Sequence, residues 1–342
     1  MLRLIDANLN RISEGLRLLE DVARFLLNDA ILSEQLKSLR HDLAADDPSL
    51  QRKLLLARDS AADVGAFAEV SSELQRQDLP SIVTANAKRA EESLRVVEEF
   101  AKLPDQALDS ERFKKARFDL YQIEQKLTAS LLRRDKRERV AGIYVILDHE
   151  ALGEREGMEV ARQAISGGAQ VVQLRDKQRG KREMLAAATE LRQLCAQFEV
   201  LFIVNDYLDI TLASDADGLH LGQSDLPLAA TRHLLPQDKI LGCSTTSAQE
   251  ALQAQAEGAD YIAVGSIYPS TSKEGTKVVG LETLRQIKEA ISLPIVAIGG
   301  INEENAAAVI EAGANSLAVI SAVLGAEDVE GATRKLKEKI GG

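Results

Sequence analysis

Two kinds of hydrophobic spacing divide the chain. Over residues 1–125, Leu, Val, Ile and Ala recur every three or four positions, as at Ile12, Leu16, Leu19 and Ala23, with no convincing strand run. That period predicts helices. From about Val140 onward eight short Val/Ile-rich runs appear: YVILD (144–148), VVQLR (171–175), FIVND (202–206), GLHLG (218–222), ILGCS (240–244), YIAVG (261–265), PIVAIGG (294–300) and SLAVIS (316–321). Most gaps between them carry amphipathic helix patterns such as GMEVARQAISGGA and LETLRQIKEAI. Strands alternating with helices pair in parallel, and eight such units in roughly 200 residues predict a (β/α)8 TIM barrel. A doubly wound sheet is the alternative, but it needs a Gly-rich first turn, and VILDHEALGE is not one. The expected fold class is α/β, with an all-α domain ahead of the barrel. Between them RRDKRER (Arg133–Arg139) is a charge run without an apolar anchor, which reads as a solvated helix end or linker. The expected boundaries are 1–125 for the helical domain, 126–140 for the linker and 141–342 for the barrel.

The helical half contains an internal repeat. Ala7-Asn8-x-x-Arg11-x-x-Glu14-x-Leu16-Arg17-x-x-Glu20-Asp21 recurs at an offset of 78 as Ala85-Asn86-x-x-Arg89-x-x-Glu92-x-Leu94-Arg95-x-x-Glu98-Glu99. A fainter echo pairs Lys37, Arg40, Asp42 and Leu43 with Lys114, Arg117, Asp119 and Leu120 at an offset of 77. Two copies predict a duplicated helical unit with pseudo-two-fold symmetry rather than a solenoid. At ~100° per residue, Ile12, Leu16, Leu19 and Ala23 form one stripe, matched by Ala90, Leu94, Val97 and Ala101. Asn8 and Glu20 flank the stripe, whereas Arg11, Glu14 and Arg17 point away from it. Their recurrence has two readings: surface ion pairs at i,i+3, or a polar seam between the copies or around an anionic ligand.

Composition narrows the class. With 42 Lys+Arg against 53 Asp+Glu, the formal charge is −11, which gives no support to general nucleic-acid binding. At 45% hydrophobic and 28% charged residues, the 342-residue chain is able to bury a sizeable core. No apolar stretch reaches the roughly 18 residues of a membrane span, and the charged N-terminus does not read as a signal peptide. Two cysteines, Cys195 and Cys243, are too few for a disulfide framework. A soluble cytoplasmic protein is the expectation.

A parallel barrel carries its functional groups at the C-terminal ends of the strands. There the second run ends in Gln173-x-Arg175-x-Lys177, whose period-2 spacing puts all three side chains on one side. The third ends in Asn205-Asp206, the fourth leads into His220-x-Gly222-Gln223-x-Asp225, and the fifth ends in Ser244. After the sixth come Ser270-Thr271-Ser272-Lys273, after the seventh Gly299-Gly300, and the eighth closes on Ser321. Arg175, Lys177 and Lys273 suit a polyanion. Asp206 and Asp225 are hard oxygen ligands suited to Mg²⁺, and cations with Mg²⁺ around one anion stabilise a departing pyrophosphate. The Gly-Gly bend and Ser321 fit a second phosphate site of backbone N–H groups. His220 is expected to be structural, and Cys243, beside inward-facing Ser244, to face the helices. No Ser-His or Cys-His nucleophile is evident.

These motifs, QLRDK (173–177), VND (204–206), GLHLGQSD (218–225), GCS (242–244), YPSTSK (268–273) and IGGI (298–301), closely resemble thiamine phosphate synthases in order and spacing, from Gly142 to about Glu330. The resemblance implies a (β/α)8 barrel that joins 4-amino-5-hydroxymethyl-2-methylpyrimidine diphosphate to a thiazole phosphate, with release of pyrophosphate. It implies that Gln173 and Ser244 contact the pyrimidine, that Arg175, Lys177, Asn205 and Lys273 hold the diphosphate, and that Asp206 and Asp225 ligate one Mg²⁺. Ser270 and Ser272, where many relatives have Thr, would bind the thiazole phosphate with Gly300, Ile320 and Ser321. The implied mechanism is dissociative, with catalytic roles for Arg175, Lys177, Ser244 and Lys273. Thiazole tautomerases, which transfer a proton and need no diphosphate apparatus, are the alternative. The repeat resembles a helical domain fused to this synthase in some bacteria and assigned as a hydroxymethylpyrimidine-phosphate kinase. Asn8, Arg11, Glu14, Arg17, Asn86, Arg89, Glu92 and Arg95 are then its candidate residues, and ATP is required only if it is a kinase. No GxxxxGK[ST] loop supports that reading, and a non-catalytic module for docking or for forming a homodimer competes with it.

Overall fold

Short strands whose residues are buried on both faces have one economical solution, a parallel sheet covered by helices. The computed structural model describes residues 1–44, 47–58, 76–104, 108–270 and 277–341, in two units, Met1–Arg134 and Asp135–Gly342. The second unit holds β1 (Gly142–Asp148), β2 (Ala169–Arg175), β3 (Leu201–Asn205), β4 (Gly218–Leu221), β5 (Ile240–Thr245), β6 (Tyr261–Val264), β7 (Ile295–Ile298) and β8 (Ser316–Val319). All neighbours pair in parallel in sequence order, and β8 returns to β1 with Gly142 opposite Ser316, so the sheet is closed. The expected barrel is therefore present.

Five strands, β3, β4, β6, β7 and β8, stop one or two residues before their sequence runs do, and at two of them the backbone gives the reason. The run 294–300 ends at Ile298 because Gly299 and Gly300 take φ of +101° and +63°, which no strand continues. Likewise β3 ends at Asn205 because Asp206 has φ +65°. In both places the break turns polar groups out of the ladder at the barrel mouth.

Alternation divides the apolar side chains into two layers. Ile143, Val145, Leu147, Val172 and Leu174 face the helices. Tyr144, Ile146, Val171, Ile203, Tyr261, Ala263 and Val296 fill the barrel itself. Gly242 on β5 makes room for Tyr261, because a Cβ there would sit 2.1 Å from the phenol ring. Cys243 packs in the outer layer as expected, and burial pushes its thiol up to about 11 and that of Cys195 up to about 12.

The first unit contains α1 (Leu2–Asp21), a π-helical turn (Val22–Leu26), α2 (Ala30–Asp42), α3 (Pro48–Ala57), α4 (Leu79–Phe100) and all but the last turn of α5 (Ser110–Glu138). Asp78 starts α4 by accepting the Ser81 N–H at 2.8 Å, with Pro80 in the first turn. The two repeat copies are α1 and α4, which pack on each other where Gly15 meets Ala90; a Cβ on Gly15 would approach the Ala90 Cβ to 3.1 Å. Residues 126–138, expected as a linker, instead continue α5, and the units divide between Arg134 and Asp135. Leu127 and Leu131 are buried at helical spacing, which is the physical reason the helix does not stop at residue 125. No helix among the described residues is long and apolar enough to cross a membrane.

The repeat also preserves a buried ion pair. Glu20 on α1 accepts from Arg40 on α2 at 3.0 Å, and Glu98 on α4 accepts from Arg117 on α5 at 2.9 Å. Asn8 and Asn86 each donate to the carbonyl four residues back, at 2.8 and 2.9 Å. Arg17 and Arg95 lie on the surface in i,i+4 pairs with Asp21 and Glu99. Burying a carboxylate without a partner costs about 3–5 kcal/mol. Glu98 keeps Arg95 at 2.6 Å and Lys102 at 3.6 Å if Arg117 is lost, whereas Glu20 keeps Arg17 at 3.9 Å if Arg40 is lost. We therefore expect Arg40→Met to cost about 3 kcal/mol and Arg117→Met clearly less, measured by denaturant unfolding of the full chain; equal losses would refute the compensation.

Candidate active site

Strand closure brings residues far apart in sequence to one mouth. Gln173 and Arg175 on β2, Asn205 at the end of β3, His220 on β4 and Ser244 on β5 line one cavity. Ser270, Gly299, Gly300, Ile320 and Ser321 line it from the opposite strands. Gly300 is there because nothing larger fits: a Cβ would come within 2.4 Å of the Pro269 carbonyl. Ser272 and Lys273 lie outside the described residues.

Arg175 pairs with the Asp148 carboxylate, its register partner across β1 and β2. The other Asp148 oxygen accepts the Glu150 and Ala151 N–H groups at 3.1 Å each, so one carboxylate both starts the helix His149–Leu152 and aims a guanidinium. Sequence reasoning overlooked Asp148. The signal was present, because it closes the run YVILD as Arg175 closes VVQLR.

A second cluster contains Lys177, Asp206 and Asp225, which share a recess with Tyr207. Lys177 Nζ lies 3.3 Å from Asp206 Oδ2, and Asp225 accepts the Gly222 N–H at 2.7 Å. The Asp206 N–H donates to the His220 carbonyl at 2.9 Å, which pins the unusual backbone turn. Burial pushes the Asp206 carboxyl above its usual range, the adjacent Asp225 adds to this, and Lys177 opposes it. Two carboxylates forced together beside one half-exposed lysine fit a divalent cation that completes its shell with water and phosphate oxygens.

The barrel interior contributes what the sequence did not reveal. Gln173 Nε2 donates to the Tyr144 hydroxyl at 2.7 Å, which lies 3.1 Å from the Tyr261 hydroxyl. Tyr261 is 3.1 Å from His220 Nδ1, and His220 Nε2 is 2.9 Å from Ser244 Oγ. Burial pushes both phenols well above their usual range, so they stay protonated. A Ser-His contact is thus present after all, formed across neighbouring strands rather than by a sequence motif. Its third member is a neutral phenol, which cannot stabilise an imidazolium as a carboxylate does. His220 is therefore a well-bonded histidine of the cavity wall.

In the first unit, Glu14 and Arg17 border a surface hollow with Ser13, Asp21, Phe25 and Arg40. Arg11, Arg89, Glu92 and Arg95 are exposed, whereas Asn8 and Asn86 are engaged with their own helices.

A proton held on Asp206 must leave before a cation binds. Affinity for Mg²⁺ or Mn²⁺ is expected to rise with pH through a range higher than that of an ordinary aspartate, with proton release seen by calorimetry in buffers of different ionisation heat. Asp225→Asn should weaken binding and move the remaining pH dependence downward. A pH-independent affinity would remove Asp206 from the cation site.

Residues 143–323 match the family model described as thiamine monophosphate synthase, and residues 3–126 match that of the ThiD2 family. The chain is 41% identical to a thiamine-phosphate synthase of Synechocystis sp., over 98% of this chain and 94% of that protein. It is 40% identical to one of Thermosynechococcus vestitus, over 99% and 94%. Among solved structures it is similar to a thiamine phosphate pyrophosphorylase from Pyrococcus furiosus, with 41% identity and a TM-score of 0.56 over 60% of this chain and 97% of that one. With matches that run through both units and a barrel mouth built from the motif residues, the chain belongs to the thiamine monophosphate synthase family.

Proposed function

We propose that the barrel joins 4-amino-2-methyl-5-(diphosphomethyl)pyrimidine to 4-methyl-5-(2-phosphoethyl)thiazole, giving thiamine phosphate and pyrophosphate. The observation that carries this is a single cavity with Gln173, Arg175 and Asn205 on one wall and Gly300, Ile320 and Ser321 on the other. One wall suits a ring bearing a diphosphate; the other suits a phosphate at the end of a second substrate.

The C–O bond to the diphosphate breaks first, and its electron pair leaves with pyrophosphate. The exocyclic amine spreads the charge of the remaining methylene cation, and the thiazole nitrogen then forms the new C–N bond. No protein nucleophile is required, which accords with a neutral Tyr261 behind His220. Arg175, held by Asp148, and Lys177 take up charge developing on the leaving group. Asn205 and Lys273 add contacts to it, and Gln173 and Ser244 orient the pyrimidine. Ser270, Ser272, Gly300, Ile320 and Ser321 anchor the thiazole phosphate. Asp206 and Asp225 would hold Mg²⁺, which when bound supplies further positive charge to the diphosphate.

With both substrates and Mg²⁺, purified protein should release pyrophosphate and form thiamine phosphate. Asp206→Ala should lower turnover by about 100-fold or more, and Asp148→Asn, which touches Arg175 rather than substrate, by about 10–100-fold. Proton transfer on the thiazole without pyrophosphate release would favour a tautomerase instead.

For the helical unit we propose a hydroxymethylpyrimidine-phosphate kinase activity, which would make the diphosphate the barrel consumes. The match of residues 3–126 to the ThiD2 family supports this reading, and the hollow at Glu14 and Arg17 offers a place for it. Full-length protein carrying Asp206→Ala, given ATP and the pyrimidine monophosphate, should accumulate ADP and pyrimidine diphosphate. Absence of ADP would leave the unit as a docking or dimerisation module.

A further inference from the structure

Five polar side chains cross the inside of the barrel in one line: Gln173, Tyr144, Tyr261, His220 and Ser244, linked at 2.7, 3.1, 3.1 and 2.9 Å. They come from β2, β1, β6, β4 and β5, so the fold rather than the sequence order assembles them. All five border the cavity, and the two tyrosines in the middle of the line are fully buried, with hydroxyls engaged by the line on either side. A buried polar chain is costly unless every link is made, so each proton in it has a determined place.

Counting protons shows what the line does. An amide nitrogen donates and cannot accept. With Gln173 Nε2 turned toward Tyr144, the Tyr144 hydroxyl must donate to Tyr261, and Tyr261 must donate to His220 Nδ1. A singly protonated imidazole then carries its proton on Nε2 and donates to Ser244 Oγ. The proton of Ser244 itself is left for the cavity, as is Oε1 of Gln173. If the amide turned over, every link would reverse, and Gln173 would offer N–H groups while Ser244 offered a lone pair. Any mixed arrangement places two protons or two lone pairs face to face in a buried link, which costs about 10-fold or more in an equilibrium.

We propose that this line couples the two polar contacts of the cavity, so that Gln173 presents an acceptor whenever Ser244 presents a donor. Tyr144, Tyr261 and His220 are then positioning residues that select an aminopyrimidine, whose exocyclic amine donates and whose adjacent ring nitrogen accepts. An oxopyrimidine has the opposite polarity, a carbonyl beside a ring N–H, and is rejected unless all five groups reverse together. The inference rests on the reading that the barrel binds a pyrimidine at Gln173 and Ser244. It goes beyond that reading by assigning discrimination to three residues that do not belong to the diphosphate or cation machinery.

The test uses ligands that cannot react without ATP: the aminopyrimidine monophosphate and its oxo counterpart, titrated into the full chain and followed at the His220 ring-nitrogen resonances, so that only binding at the barrel cavity is counted. Wild type should prefer the amino ligand by about 10-fold or more. Tyr144→Phe removes the relay while leaving Gln173, His220 and Ser244 in place, and should reduce that preference to about 3-fold or less. Tyr261→Phe cuts the line one link further on and provides the same readout should Tyr144→Phe not fold. In ¹⁵N spectra His220 of the wild type should carry its proton on Nε2. A relay with a purely structural role would weaken both ligands by the same factor, and an unchanged ratio in a folded variant overturns the coupling. A mixture of His220 tautomers in the amino complex overturns it as well. Wild type that binds neither ligand would sink the pyrimidine reading itself.

Discussion

Closure of eight parallel strands is the constraint on which the rest of the site depends. A closed sheet has no free edge, so each strand pairs with a neighbour on both sides, and alternate side chains point inward. All strands run the same way, and their last residues therefore meet at one mouth. Gln173 and Ser244 face one cavity for that reason alone. The same closure turns Tyr144, His220 and Tyr261, unremarkable as separate residues, into a continuous polar line. Gly242 serves this arrangement from β5 by leaving space for the Tyr261 ring.

Charge at the mouth is organised in pairs. Arg175 is set against Asp148 and Lys177 against Asp206, so the cations are aimed before any anion arrives. Pre-aimed cations need little reorganisation when charge develops on a leaving group. A formal charge of −11 is no obstacle to anionic substrates in such a site, because the relevant field is local and the net charge is spread over the whole surface. The raised Asp206 carboxyl is the counterpart: burial first, and the adjacent Asp225 after it, disfavour its charged form.

The helical unit keeps its duplication where burial enforces it. Glu20 with Arg40, and Glu98 with Arg117, are the same device twice, a carboxylate drawn into the helix interface by an arginine from the next helix. The recurrence of Arg40 and Arg117, the faintest part of the sequence repeat, acquires its meaning from that contact. The i,i+4 contacts of Arg17 with Asp21 and of Arg95 with Glu99, by contrast, are surface pairs worth only tenths of a kcal/mol.

Much of the barrel was legible because its physics is local. Val/Ile-rich runs with helical intervals specify parallel strands, and period-2 spacing puts Gln173 and Arg175 on one side of β2 without knowledge of the rest. Helical spacing in the first 125 residues is equally plain, and α5 continues through the expected linker to end inside the charged run because Leu127 and Leu131 are buried beneath it. By itself the sequence determined the fold class, the internal repeat and the strand-end residues, all of which depend on neighbours a few positions apart. Only the tertiary structure decided that Asp148 aims Arg175, that His220 meets Ser244, and that five side chains from five strands share one set of protons. Those contacts join residues up to 117 positions apart, and no periodicity records a hydrogen bond formed across a closed sheet.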